Sequence, residues 1–129
     1  MEINSSIARI DRSTEQLFSQ MSSVETYETL MPEGAAFTKI DDSRFRFKLG
    51  GMPEIGLTIS DKQPSEFIVL TSSSEKISFS LRGQFTMVSQ TQTDFQLHFE
   101  GDFNPMMAMM VKKPLSQFME SLISNMNKL

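Results

Sequence analysis

The apolar positions divide the chain by period. From Phe37 to Phe103 the period is two: Phe45, Phe47 and Leu49 alternate with Arg44, Arg46 and Lys48. Ile55, Leu57 and Ile59 alternate with Gly56, Thr58 and Ser60, and residues 67–71 form a nearly continuous apolar run. Ile77, Phe79, Leu81, Phe85 and Met87 alternate with Ser78, Ser80, Arg82, Gln84 and Thr86. Phe95, Leu97, Phe99 and Phe103 alternate with Gln96, His98, Glu100 and Asp102. Such alternation predicts an antiparallel sheet with one apolar face and one solvated face. Turn-length breaks at 41–42, 50–51, 62–64, 72–75 and 91–93 make it a meander of six strands. Ahead of it, Ile3, Ser5 and Ile7 alternate with Glu2, Asn4, Ser6 and Ala8, which predicts one further strand. With 91–93 as a hairpin loop, Phe85 faces Phe99 and Gly83 faces Gly101. Paired glycines at that register would let the sheet bend.

The remaining pattern is helical. Ser13 is placed to cap a helix, with Gln16 as its capping-box partner and Leu17, Phe18 and Met21 as the apolar stripe. Ser22 or Ser23 opens a second short helix through Thr29, which Pro32 and Gly34 stop. Asn104 caps the last helix, and Pro105 fits its first position because the missing N–H would be unpaired there anyway. Val111, Leu115, Phe118, Leu122, Met126 and Leu129 form its stripe, and Pro114 within it predicts a kink. The fold class is therefore α+β over residues 1–129: a strand, two short helices, six antiparallel strands, and a long C-terminal helix covering the apolar sheet face.

Four methionines fall in five residues, Met106, Met107, Met109 and Met110, at the start of that helix. At ~100° per residue, Met107 and Val111 lie with the core stripe, whereas Met106, Met109 and Met110 fall on the opposite side. Two explanations stand side by side. Loops or a change of phase at Pro114 bury that side, or the flexible thioethers form a pliable apolar lip or docking patch. Alternate connections of a meander share one end. That rule collects residues 31–35, the 50–54 hairpin, the 72–75 turn and the start of the last helix. It brings together Met31, Met52, Met106, Met109 and Met110, with the inward-facing Phe79, Phe85 and Phe99 as an apolar lining.

Composition narrows the chemistry. Eleven Phe against one Tyr and no Trp predict an oily interior with few hydrogen bonds. Ser5, Thr71 and Tyr27 are its few polar handles. A net charge of −4 argues against a nucleic-acid partner. The absence of Cys removes disulfides and thiolate metal sites. Residues 1–14 carry Glu2, Arg9, Asp11 and Arg12 with no signal-peptide core, and no run approaches the roughly 18 apolar residues of a membrane helix. A cytoplasmic protein without integral membrane association is expected.

The element order, together with the strings Leu30-Met31-Pro32-Glu33-Gly34, Gly50-Gly51-Met52-Pro53-Glu54-Ile55-Gly56-Leu57, and Asn104-Pro105-Met106-Met107 through Lys113-Pro114-Leu115, resembles the START and birch-pollen-allergen superfamily. This helix-grip group is also called SRPBCC, and the strings are similar to its short, orphan proteins of Bacteroidetes-type bacteria. The resemblance implies a curved sheet gripping the long helix around a cavity. It also implies an apolar ligand such as a lipid or polyketide, a mouth at the methionine end, and cyclase activity in a minority of members.

Catalytic groups are sparse. His98 is the only histidine, and its parity with Gln96 and Glu100 points it to solvent. Glu100 and Asp102 share that wet face. Arg44, Arg46 and Lys48 form an outward basic strip, expected to be a solvated face. No nucleophile elbow, zinc-protease or phosphate-loop motif is present. No catalytic residue, metal ligand or cofactor is expected. Two function classes remain: a carrier of a small apolar molecule, and a protein- or membrane-interaction module with a filled interior and a methionine-rich docking end. Cavity volume separates them, since a carrier needs several hundred Å3. A cyclase would need buried acid–base groups, and the inward positions of the two longest strands hold none.

Overall fold

The computed structural model describes residues 1–49, 54–73 and 78–129. The elements are β1 (Glu2–Asn4), β2 (Ala8–Ile10), α1 (Thr14–Met21), α2 (Val24–Leu30), β3 (Ala36–Lys39), β4 (Arg44–Lys48), β5 (Ile55–Gln63), β6 (Phe67–Ser72), β7 (Phe79–Ser89), β8 (Gln92–Gly101) and α3 (Pro105–Asn125). A final 3-10 turn covers Met126–Lys128. The strands form one antiparallel sheet in the order β1-β8-β7-β6-β5-β4-β3, with β2 also paired to β8.

The period-two pattern sets the faces. Phe45, Phe47, Ile55, Leu57, Ile68, Leu70, Phe79, Leu81, Phe85, Phe95, Leu97 and Phe99 are buried on one face, and α1, α2 and α3 cover them. Both helix starts are built as their sequences dictate. Ser13 accepts from the Gln16 N–H at 3.1 Å while Gln16 accepts from the Ser13 N–H, and Asn104 accepts from the Met107 N–H at 2.8 Å. The α3 helix runs through Pro114 without interruption.

Three expectations are corrected. The first strand is split. Asn4 pairs with His98 and Ala8 with Phe95, so four steps on one strand match three on the other. The extra residue is a bulge, which reverses parity. It turns Ile7 out, 60% exposed, and Ala8 and Ile10 in. Ser5 holds the break together, with its N–H bonded to the Leu97 carbonyl and its hydroxyl oxygen accepting from the Leu97 N–H.

The β7–β8 register also differs. Phe85 pairs with Phe95 and Ser89 with Gln92, so the turn lies at 90–91 rather than 91–93. Gly83 faces Leu97, and Gly101 faces Phe79; the glycines are not paired. Each instead makes room for a ring, Gly83 for Phe95 and Gly101 for Phe103.

Met87, expected inward, is 64% exposed. It borders an open groove beside Ser13, Thr14 and Glu15, where the sheet runs past the start of α1.

Candidate functional site

The interior between the sheet and the helices is filled by aromatic and aliphatic side chains. Its rings pair with one another. Phe79 lies over Phe99 at 4.9 Å, Phe47 stacks on Phe118 at 4.7 Å, and Tyr27 stacks on Phe45 at 5.2 Å. Phe85 meets Phe95 edge to face at 5.0 Å and touches Phe18 on its other side. Between sheet and α3, the enclosed space bounded by Met21, Tyr27, Leu70, Leu97, Leu122 and Met126 is about 10 Å3. That is roughly one water-sized sphere, against about 300–1,000 Å3 for pockets that hold small molecules. Phe79, Phe85 and Phe99 are therefore packed core among the described residues.

The expected polar handles are already engaged. The Tyr27 hydroxyl donates to the Met21 carbonyl at 2.7 Å, and its complete burial pushes its pKa up. The Ser5 hydroxyl donates to the Ser6 carbonyl while it caps the bulge. Thr71 is exposed and bonded to Ser60 across the outer face. Thr93, which the sequence did not single out, is fully buried between the Thr14 hydroxyl and the Arg12 carbonyl. None of these four presents a free polar group to an interior ligand.

The other side of the site is the start of α3. Leu115, Phe118, Met119, Leu122 and Ile123 are buried, but no residue from Pro105 to Lys113 is. In the first two turns Val111 packs against the core, and Met107 and Ala108 are half-buried. Met106, Met109 and Met110 are 75%, 83% and 72% exposed, the three highest values among the large apolar side chains described. Their spacing of three and four residues puts them on one helix face, and Lys113 extends the same row. Pro114, lacking an N–H, deprives the Met110 carbonyl of its usual helical donor. The apolar side of these turns thus faces water.

Of the other expected members, Met52 lies outside the described residues. Met31 is elsewhere: the Asn125 side chain donates to the Leu30 carbonyl at 2.9 Å and the Met31 carbonyl at 3.4 Å. At ~1.5 Å rise per residue, Asn125 is about 28 Å along α3 from Met106. The rule of alternate connections fails for Met31 because that residue still belongs to the end of α2, before the chain reaches the sheet.

The wet face carries ordinary surface chemistry. His98 points outward as its parity predicts and bonds Asn4 across the β1–β8 pair. Arg44 pairs with Asp41 at 2.6 Å and Arg46 with Glu54 at 3.7 Å, so the basic strip is largely neutralised. The Arg44 guanidinium and the Ser43 N–H hold the Asp41 carboxyl down at about 2. Lys39 and Ser23 likewise hold Glu25 at about 2. Among the described residues, no group of three or more His, Asp or Glu is placed to hold a metal ion. No described helix is long and apolar enough to cross a membrane.

No family model matches the chain, and neither does any curated protein. Solved structures do. A START superfamily protein from Mycobacterium smegmatis aligns over 98% of this chain and 97% of its own, at 15% identity and a TM-score of 0.66. This is the START-like helix-grip fold. The protein XoxI from Bacillus cereus shares the START-like fold over 98% of this chain and 93% of its own, at 5% identity and a TM-score of 0.73. The Aha1 dimer from Colwellia psychrerythraea shares it over 98% and 96%, at 14% identity and a TM-score of 0.63. At such identities the likeness is one of fold. In this START-like chain the helix grip is closed on its own side chains.

Proposed function

We propose that this START-like domain is a non-catalytic binding module that engages a protein partner through the methionine face of α3. The observation that carries the reading is the exposure of Met106, Met109 and Met110, in a domain whose enclosed interior space, at the far end of α3, is only about 10 Å3. Three flexible thioethers adapt to an irregular apolar surface. Burying a Met side chain fully is worth roughly 1.5–3 kcal/mol, so three contribute roughly 4–9 kcal/mol before the cost of association. That range suits a transient complex.

The test is Met110→Glu. A docking-face residue keeps its access to water, so the melting temperature stays unchanged while binding of an apolar dye such as anilinonaphthalene sulfonate weakens. Loss of the fold would make Met110 a core residue and end the proposal. Unchanged fold with unchanged dye binding would end it as well.

A second reading, carriage of a small apolar molecule, draws on the position of the small void. It lies between sheet and α3, is walled by apolar side chains, and has flexible Met21 and Met126 in its lining. Native mass spectrometry of protein purified from its own host separates the readings. A co-purifying apolar molecule favours the carrier. Kinship with the short Bacteroidetes-type proteins rests on the three sequence strings, and a cytoplasmic location rests on the composition.

A further inference from the structure

We infer that the partner on the methionine face is an acidic amphipathic segment of another protein, an apolar stripe flanked by Asp or Glu. The inference rests on the docking reading above and adds the charge of the partner. Residues 103–119 contain two cations, Lys112 and Lys113, and no acid, within a chain whose net charge is −4. Both lysines are exposed, directly after the methionines. Lys113 stands one turn beyond Met109 and Met110 on the same face. The first turn of α3 holds no acidic side chain to offset its helix N-terminus. The apolar patch therefore carries a positive border on an otherwise acidic molecule.

Electrostatics also decides among other occupants. Three thioethers are soft ligands that suit a monovalent copper ion. Here a cation would meet two lysines and the positive end of a helix dipole, all of which repel it. A flat anionic bilayer would bring the whole end of the molecule to its surface. That end also carries Glu2, Glu100 and Asp102, all exposed, with Glu2 and Glu100 directly paired across β1 and β8. A slender segment lying along residues 106–113 of α3 runs beside the lysines without having to cover the β1–β8 pair that carries Glu2 and Glu100. A second copy paired face to face would offer this patch another positive border.

The probes are two labelled 18-residue helical peptides with the same leucine stripe, one flanked by Glu and one by Lys, and vesicles of phosphatidylcholine with phosphatidylglycerol. The wild-type chain should bind the Glu peptide about tenfold more tightly than the Lys peptide, with the preference shrinking at high salt. Lys112→Glu with Lys113→Glu should reverse the preference. Met106→Ser, Met109→Ser and Met110→Ser together should abolish binding of both peptides while circular dichroism stays unchanged. Equal binding of the two peptides, lost in the triple serine variant, would overturn the charge inference and leave the docking reading standing. Binding that survives the triple variant, or no binding at all, would overturn both. Vesicle binding stronger than peptide binding would overturn the choice of a protein segment.

Discussion

Replacing Gly83 with Ala adds a single methyl group, and the structure says where it goes. A Cβ on Gly83 would lie 2.5 and 2.7 Å from Cζ and Cε1 of Phe95, and 3.1 Å from Cγ2 of Ile68. Ordinary contact begins near 3.4 Å, so the ring must retreat by about 0.9 Å. Phe95 has little room to yield: it is 1% exposed, it sits edge to face against Phe85, and the void it borders holds only about 10 Å3. Overpacking of this kind costs roughly 1–3 kcal/mol. Against it stands a gain of roughly 0.4–1 kcal/mol, because alanine restricts the unfolded chain more than glycine does. The net expectation is a loss of roughly 0–2.6 kcal/mol, measured by urea melts with an unchanged slope. The mechanism is tested by coupling. Phe95→Leu shortens the ring that the methyl group strikes, so the double variant should be more stable than the sum of the single losses by roughly 1 kcal/mol. Strict additivity, or a Gly83→Ala variant more stable than wild type, would refute the close approach. The matching change at Gly101 should be milder, since the nearest ring there, Phe103, is only half-buried and can swing aside.

Other outcomes follow from the same contacts. Phe118→Ala removes the ring stacked on Phe47 and should cost roughly 3–5 kcal/mol, whereas His98→Ala on the wet face should cost less than about 1 kcal/mol, both read from denaturant melts. Glu2→Lys replaces a like-charge pair opposite Glu100 with an opposite-charge one and should raise stability by roughly 0.2–1 kcal/mol in the same assay. Glu25 and Asp41 are held at about 2, below their ordinary values, so their contribution is present near neutrality and disappears as pH falls from about 4.5 towards 2. Tyr27 is raised by burial, so its contribution is intact below about pH 10 and is lost above it. Thermal melts at pH 2 to 11 check both limbs, and Tyr27→Phe should flatten the alkaline one.

The sequence was most legible where one rule governed a residue. The inward phenylalanines follow from parity alone, and Ser13 and Asn104 are caps because their side chains can reach the helix N–H groups and little else competes. The bulge at Ser5 was hidden because the string around it is short and polar, and one inserted residue changes parity without changing composition. The β7–β8 register was hidden for the opposite reason. Residues 89–93 are Ser, Gln, Thr, Gln and Thr, with no glycine or proline to mark the turn. A four-residue slip keeps every side chain on its own face, so the apolar pattern cannot detect it. At the candidate site, the helical wheel correctly separated Met106, Met109 and Met110 from the core stripe. It could not tell whether loops covered them, because exposure depends on how far the helix reaches past the sheet. The filled interior was equally out of reach, since inward-facing phenylalanines line a cavity or fill one depending on how the rings meet.

The bond between Asn4 and His98 joins residues 94 positions apart, and Arg12 reaches the Leu129 carbonyl across 117. β1 thus pairs with β8, which is made after every other strand of this sheet, and Leu129 closes onto Arg12 just ahead of α1. Until β8 emerges, β1 and β2 have no neighbour, and the apolar sheet face has no α3 to cover it. Topologies dominated by such distant pairings fold in milliseconds to seconds rather than microseconds. During synthesis the nascent domain must carry an uncovered apolar surface, open to aggregation, until α3 is free to pack. Changes to β1 or to α3 therefore act on the closing step of folding.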